Sequence, residues 1–148
     1  MMGEQKPIEG TFEDADLVLI PGDHVARLAP MIVPMLTAVA ERSRGSLSVE
    51  GMLAAFITGK WQLWVITEGK IKAIMASELH IQISGRKAAS IHFLTGEDSN
   101  SWLHLFDKFE EWARVQGCGV IDILARKGWA RRLPQMHMSH VFLEKELT

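Results

Sequence analysis

Residues 99–129 read SNSWLHLFDKFEEWARVQGCGVIDILARKGW, and this stretch decides the fold. Trp102, Leu105, Phe106, Phe109, Trp112 and Ala113 recur at helical spacing. They put one wide apolar face on a helix beginning near Ser99. Gly117 ends that helix, because a residue without Cβ enters the left-handed region at no steric cost. Val120, Ile121, Asp122, Ile123 and Leu124 follow as a β-rich run that can pair in a sheet. A basic turn, Arg126-Lys127-Gly128-Trp129, closes the stretch.

Upstream of this helix the sequence lays down a meander. Residues 61–67 hold two tryptophans and several branched residues, a strand composition. Glu68-Gly69 is a turn, and residues 71–83 make a long strand. Ser84-Gly85-Arg86-Lys87 is a second turn, and residues 88–94 a third strand. Residues 95–100 read as a polar loop containing Gly96, with Asp98 or Ser99 capping the long helix. Nearer the N-terminus, residues 15–20 form a first strand ended by Pro21-Gly22. Asp23 is placed to cap a helix running from His24 to about Arg42. Pro30 and Pro34 inside it each remove a hydrogen bond, which predicts a kink or a break into two helices. Ser46 or Ser48 caps a second helix with Met52, Leu53, Phe56 and Ile57 on its apolar face, and Gly59 ends it.

Beyond the basic turn, residues 127–133 form a short helix that Pro134 stops. Residues 141–147 are a last strand, with Val141, Leu143 and Lys145 on one face. Residues 1–12 are a polar lead-in, and residues 13–148 a single domain. The order predicts an α/β (α+β) fold: a mixed, mostly antiparallel twisted sheet with helices on both faces.

A chain of 148 residues buries enough surface to need no disulfide or metal. Its single cysteine, Cys118, excludes an internal disulfide framework and suits a reducing, cytoplasmic setting. A net charge of −2 gives no bulk electrostatic attraction to nucleic acid or membrane. The N-terminus lacks the basic-then-apolar order of a signal peptide. The longest apolar run, from Leu28 to Ala40, is interrupted by two prolines and is too short to span a bilayer. This run is apolar on more than one face, so it is also a candidate surface for a protein partner or self-association.

The element order, together with Glu110-Glu111-Trp112-Ala113-Arg114, Gly117-Cys118, Ile121, Arg126-Lys127-Gly128-Trp129, Leu133 and the closing Leu143-Glu144-Lys145-Glu146-Leu147, resembles the GNAT superfamily of acyl-CoA-dependent N-acyltransferases. It is similar in particular to small GNAT-like proteins encoded by tailed bacteriophages. The resemblance implies acetyl-CoA as cofactor, lying in a V-shaped split between the fourth and fifth strands. It implies a small-molecule or protein amine as acceptor, and a bacterial host's cytoplasm or a phage particle as location. The cofactor's diphosphate would meet backbone N–H groups at the head of the helix after the fourth strand, where the helix dipole favours an anion.

On this sequence the implied cofactor residues are Leu94, Thr95, Gly96, Ser99, Asn100 and Ser101, with Arg126 and Lys127 as further phosphate ligands. The matching loop carries one glycine, no leading Arg or Gln, and the carboxylates of Glu97 and Asp98. The Tyr that serves many members as general acid has no counterpart, since the chain contains no Tyr. A second reading therefore stands beside the enzyme: a GNAT-fold accessory or virion-associated protein that kept the scaffold and acts through protein contacts.

Three side chains are candidates for proton transfer: Glu78, His80 and His92. Glu78 and His80 share one face of their strand by the period of two, and a simple turn register puts His92 opposite or diagonal to His80. The plain alternative is a solvated polar face. No metal is expected, because no ligand spacing pairs the histidines with cysteine or carboxylates. Cys118, between two glycines and without a basic neighbour, reads as a small packed residue. Arg126, Lys127, Arg131 and Arg132 read more commonly as a solvated basic face, and nucleic-acid binding through them is the weakest option.

Overall fold

The computed structural model describes residues 15–96, 103–125, 133, 135–139 and 143–147. The chain begins with strand β1 (Asp16–Ile20), a 3-10 turn (Gly22–His24), and helices α1 (Val25–Arg42) and α2 (Val49–Thr58). Strands β2 (Gln62–Thr67), β3 (Ile71–Ile81) and β4 (Lys87–Gly96) follow. A 3-10 turn (Leu103–Leu105), helix α3 (Phe106–Val115) and strand β5 (Val120–Ile123) complete the regular elements. The strands lie in sequence order in one sheet; the first three pairings are antiparallel and β4–β5 is parallel.

The period of two sorts the sheet's side chains onto two cores. On one face Leu17, Trp64, Ile66, Ala73, Met75, Ala89 and Ile91 pack against Phe106, Phe109 and Ala113 of α3. On the other, Leu63, Val65, Ile74, Ala76 and Phe93 pack against Val25, Ile32, Leu36 and Val39 of α1 and Met52 and Phe56 of α2. The aromatic stripe foreseen on α3 is thus core. Phe109 is fully buried, and its ring meets Trp64 edge-on at 5.4 Å. Truncating such a phenyl ring costs about 3–5 kcal/mol. Cys118 packs half-buried against the same cluster.

Two turns form where the sequence places them. Ser48 caps α2 by accepting the Gly51 N–H at 3.0 Å. Gly117 takes φ +87° and ends α3. Other expectations are corrected. Asp23 does not cap α1: a 3-10 turn intervenes, and the residue preceding the helix is His24, with no side-chain cap bond. Nor does α1 break at its prolines; it is continuous for 18 residues. Ala26, Pro30 and Pro34 are four residues apart on its exposed side. The carbonyls of Ala26 and Pro30, which lose their intrahelical donors, therefore lie where water can serve them.

Thr95 and Gly96 do not open a loop; they are the last two residues of β4. The α-helical part of the long helix starts only at Phe106, and Trp102, Asp98 and Ser99 lie outside the described residues. Residues 143–147 carry no strand, and Leu143 and Leu147 are 87% and 89% exposed. Alternation of apolar and charged residues does not make a strand unless a neighbour offers a ladder. Most of the predicted 127–133 helix is likewise outside the described residues. Among the described residues no helix is long and apolar enough to cross a membrane.

Candidate functional site

The parallel ladder between β4 and β5 is short. It runs from Ala88 opposite Val120 to Ile91 opposite Ile123, and its last hydrogen bond is Leu124 N–H to the Ile91 carbonyl at 3.1 Å. Strand β4 continues to Gly96, held on its other side by β3: Phe93 opposite Ala76, Leu94 opposite Met75, Thr95 opposite Ile74, Gly96 opposite Ala73. No described strand covers residues 92–96 on the β5 side. Among the described residues β4 is therefore without a strand partner on that side from His92 onward. Unpaired backbone amides along a strand edge are a template for an extended ligand with amides of its own.

His92 is also where β4 bulges. Ser77 pairs with Ile91 and Ala76 with Phe93, so His92 is the extra residue between them. A bulge of this kind re-aims a side chain. The His92 ring stacks on Trp61, with centroids 4.3 Å apart and planes 21° from parallel. Its Nε2 lies 2.8 Å from Glu78 Oε1. Trp61 is anchored in turn: its N–H donates to the Ala55 carbonyl at 3.0 Å, and its ring meets Phe56 and Phe93 edge-on.

The register corrects the expected pairing of the two histidines. His80 lies opposite Ala88, and its Nε2 meets Ser90 Oγ at 2.7 Å. His92 belongs with Glu78 instead. All four polar residues share the face that α1 and α2 partly cover, but they fall into two pairs. His80 is exposed, whereas Glu78 and His92 are 27% and 29% exposed. Such a pair is shielded enough to hold one geometry and open enough to meet a ligand.

That geometry sets the chemistry. A carboxylate only accepts, so Nε2 of the neutral His92 ring carries the hydrogen bonded to Glu78. Nδ1 then holds the free lone pair. Glu78 fixes the tautomer, and the stacked Trp61 ring fixes the plane of the imidazole.

The other foreseen residues are distributed unevenly. Leu94 packs at the margin of the α3-side core. Thr95 Oγ1 accepts from Arg42 Nη2 at 3.3 Å. Gly96, with φ +157°, lies flat against β3: a Cβ there would fall on Ala73 and come within 2.5 Å of the Lys72 carbonyl oxygen. Its lack of a side chain thus serves the approach of two strands. Ser99, Asn100, Ser101, Arg126 and Lys127 lie outside the described residues. Among the described residues no group of three or more His, Cys, Asp or Glu side chains is placed to hold a metal ion.

Sequence reasoning missed Trp61, Ser90 and Arg42. An aromatic residue just after a helix-ending glycine was a usable signal for Trp61. Nothing local marks the bulge that brings His92 to Glu78.

No family model and no curated protein matches the sequence. Solved structures do match the fold. An aminoglycoside acetyltransferase from an uncultured soil metagenomic sample, in complex with sisomicin, superposes with a TM-score of 0.68 at 16% identity, over 94% of this chain and 99% of that one. A second aminoglycoside acetyltransferase from such a sample gives 0.64 at 14% identity, over 91% and 98%. The ribosomal-protein-alanine N-acetyltransferase of Brucella melitensis biovar Abortus 2308 gives 0.63 at 10% identity, over 91% and 99%. At these identities the likeness is one of fold: the chain shares the fold of these acetyltransferases.

Proposed function

We propose that this chain is an acyl-CoA-dependent N-acyltransferase whose proton acceptor is His92. One observation carries the reading: an oriented, half-buried His–Glu pair stands where the described β4–β5 ladder ends, beside a stretch of β4 that has no strand partner on that side among the described residues. The acceptors named for the similar structures, aminoglycosides and a ribosomal-protein alanine, share an amine. An amine is the nucleophile this site is equipped to deprotonate.

The residues 92–96 suit acetyl-CoA in one respect and depart from it in another. Their free edge suits the amides of a pantetheine arm, with Leu94 as its apolar neighbour. Gly96, committed to β3, is not a glycine that makes room for phosphate. Bound acyl-CoA supplies an activated thioester carbonyl. His92 Nδ1 would take the proton of the acceptor amine as its nitrogen bonds to the acyl carbon and the C–S bond breaks, and would return that proton to the departing thiolate. Glu78 holds the ring in the tautomer that leaves Nδ1 free, and Trp61 holds its plane. General-base help of this kind contributes about 10²–10⁴ in rate.

A second reading rests on α1, where Met31 is 55% exposed on the helix that carries Pro30 and Pro34. In it the chain is a phage accessory protein that keeps the fold and binds a protein partner through residues 28–40. Titration calorimetry with acetyl-CoA, followed by thiol release with a panel of amines, separates the two. Saturable binding and release support the enzyme. No heat and no thermal shift at millimolar acetyl-CoA removes it.

A further inference from the structure

We infer that Arg42, at the C-terminal end of α1, is a ligand for the diphosphate of the acyl donor. The inference rests on the acyl-CoA reading above and adds a residue to it from an element outside the β4–β5 region.

Helix α1 starts after β1 and runs back along the sheet, so its last residue arrives at the end where β4 also finishes. There Arg42 Nη2–H donates to Thr95 Oγ1 at 3.3 Å, across 53 residues of sequence. A basic residue in the last turn of a helix is commonly explained by the helix dipole. This one reaches away from its own helix carbonyls to the neighbouring strand. Among the described residues it has no carboxylate in ion-pair range, and Thr95 is its hydrogen-bond partner. One N–H of the guanidinium is thus used for positioning, and the remaining donors of the fork are left for a planar oxyanion.

Position and charge both suit a diphosphate. Thr95 lies three residues beyond His92 on the unpaired edge, about 10 Å at the rise of a strand. The arm between a CoA thioester and its diphosphate has to bridge a gap of this order. Arg42 therefore stands near the end of β4, while the proton acceptor stands where the described β4–β5 ladder stops. Arg44, exposed two residues later, is a second cation in a stretch that also carries the exposed carboxylate of Glu41.

The test is calorimetry of the full chain with CoA and with 3′-dephospho-CoA, on wild type, Arg42→Gln and Arg42→Lys. Removing a charge-assisted hydrogen-bonded contact weakens binding by about 10-fold or more. Arg42→Gln should show that loss equally for both ligands, Arg42→Lys should recover part of it, and the melting temperature without ligand should not move. Equal affinity of Arg42→Gln and wild type overturns the assignment. A loss confined to CoA also overturns it, by placing Arg42 at the 3′-phosphate. Failure of wild type to bind either ligand removes the acyl-CoA reading itself, and the assignment with it.

Discussion

Trp61 lies nearly parallel to His92, ring centroids 4.3 Å apart, and by that contact a residue at the entrance to β2 fixes the plane of a side chain two strands away. The stack is one wall of the site, and the Glu78 carboxylate at 2.8 Å from Nε2 is the other. Each constrains a different freedom of the ring: Trp61 its tilt, Glu78 its tautomer.

If His92 takes the proton, His92→Ala lowers kcat by about 100-fold with little change in affinity for acetyl-CoA. Imidazole in the buffer then restores part of the rate. Glu78→Gln keeps the shape of the pair but not its charge, and should cost about 10-fold. Thiol-release kinetics with a saturating amine read all three. An undiminished rate in His92→Ala would show that water, not His92, is the base.

Trp61 couples stability to the site. Trp61→Ala removes the stack and two edge-on contacts, with Phe56 and Phe93. An unfolding loss of about 2–4 kcal/mol is expected, below the range for a fully buried Trp because Trp61 is only partly buried. Trp61→Phe should retain most of the stability and a larger share of the rate. Urea denaturation and kcat on the same samples check the pair of effects; a stability loss without any loss of rate would detach Trp61 from the site.

The buried Ser77 hydroxyl links Trp64 to Gln62: it accepts the indole N–H at 3.0 Å and donates to Gln62 Oε1 at 2.9 Å. Ser77→Ala leaves the indole donor unsatisfied in the core, at a cost of about 1–3 kcal/mol. A double-mutant cycle with Trp64→Phe should give a coupling of at least about 0.5 kcal/mol. Additive losses would mean that the indole finds another acceptor.

Gly96→Ala drives a methyl group into Ala73 and toward the Lys72 carbonyl. The end of β4 must then move off β3, carrying Thr95 with it. Stability should fall by about 1–3 kcal/mol, as overpacking does elsewhere. CoA binding should weaken beyond what the stability loss explains. Adding Ala73→Gly should return only part of the stability, because the Lys72 carbonyl remains. Calorimetry and thermal melting on the two variants decide it, and unchanged melting in Gly96→Ala would refute the close approach.

Much of the scaffold was legible in sequence. The 3.6-residue recurrence of Phe106, Phe109 and Ala113, a serine cap at Ser46 or Ser48, of which the structure uses Ser48, the Gly59 and Gly117 stops and the turns after β2 and β3 are local facts, and the structure has each of them. The period of two also placed Glu78 and His80 on one face. Such features depend on residues a few positions apart, and so a single stretch contains all the information they need.

What tertiary structure alone decided is which of those residues meet. The ladder slips by one at Ala76 and Ser77, which turns His92 toward Glu78 and leaves His80 to Ser90. The described parallel ladder stops at Ile91, so that the next residue, His92, is the first beyond it. Arg42 comes to Thr95 because two elements happen to end at the same edge of the sheet. Register, ladder length and the meeting of distant ends are set by the packing of both cores at once, and no local spacing encodes them.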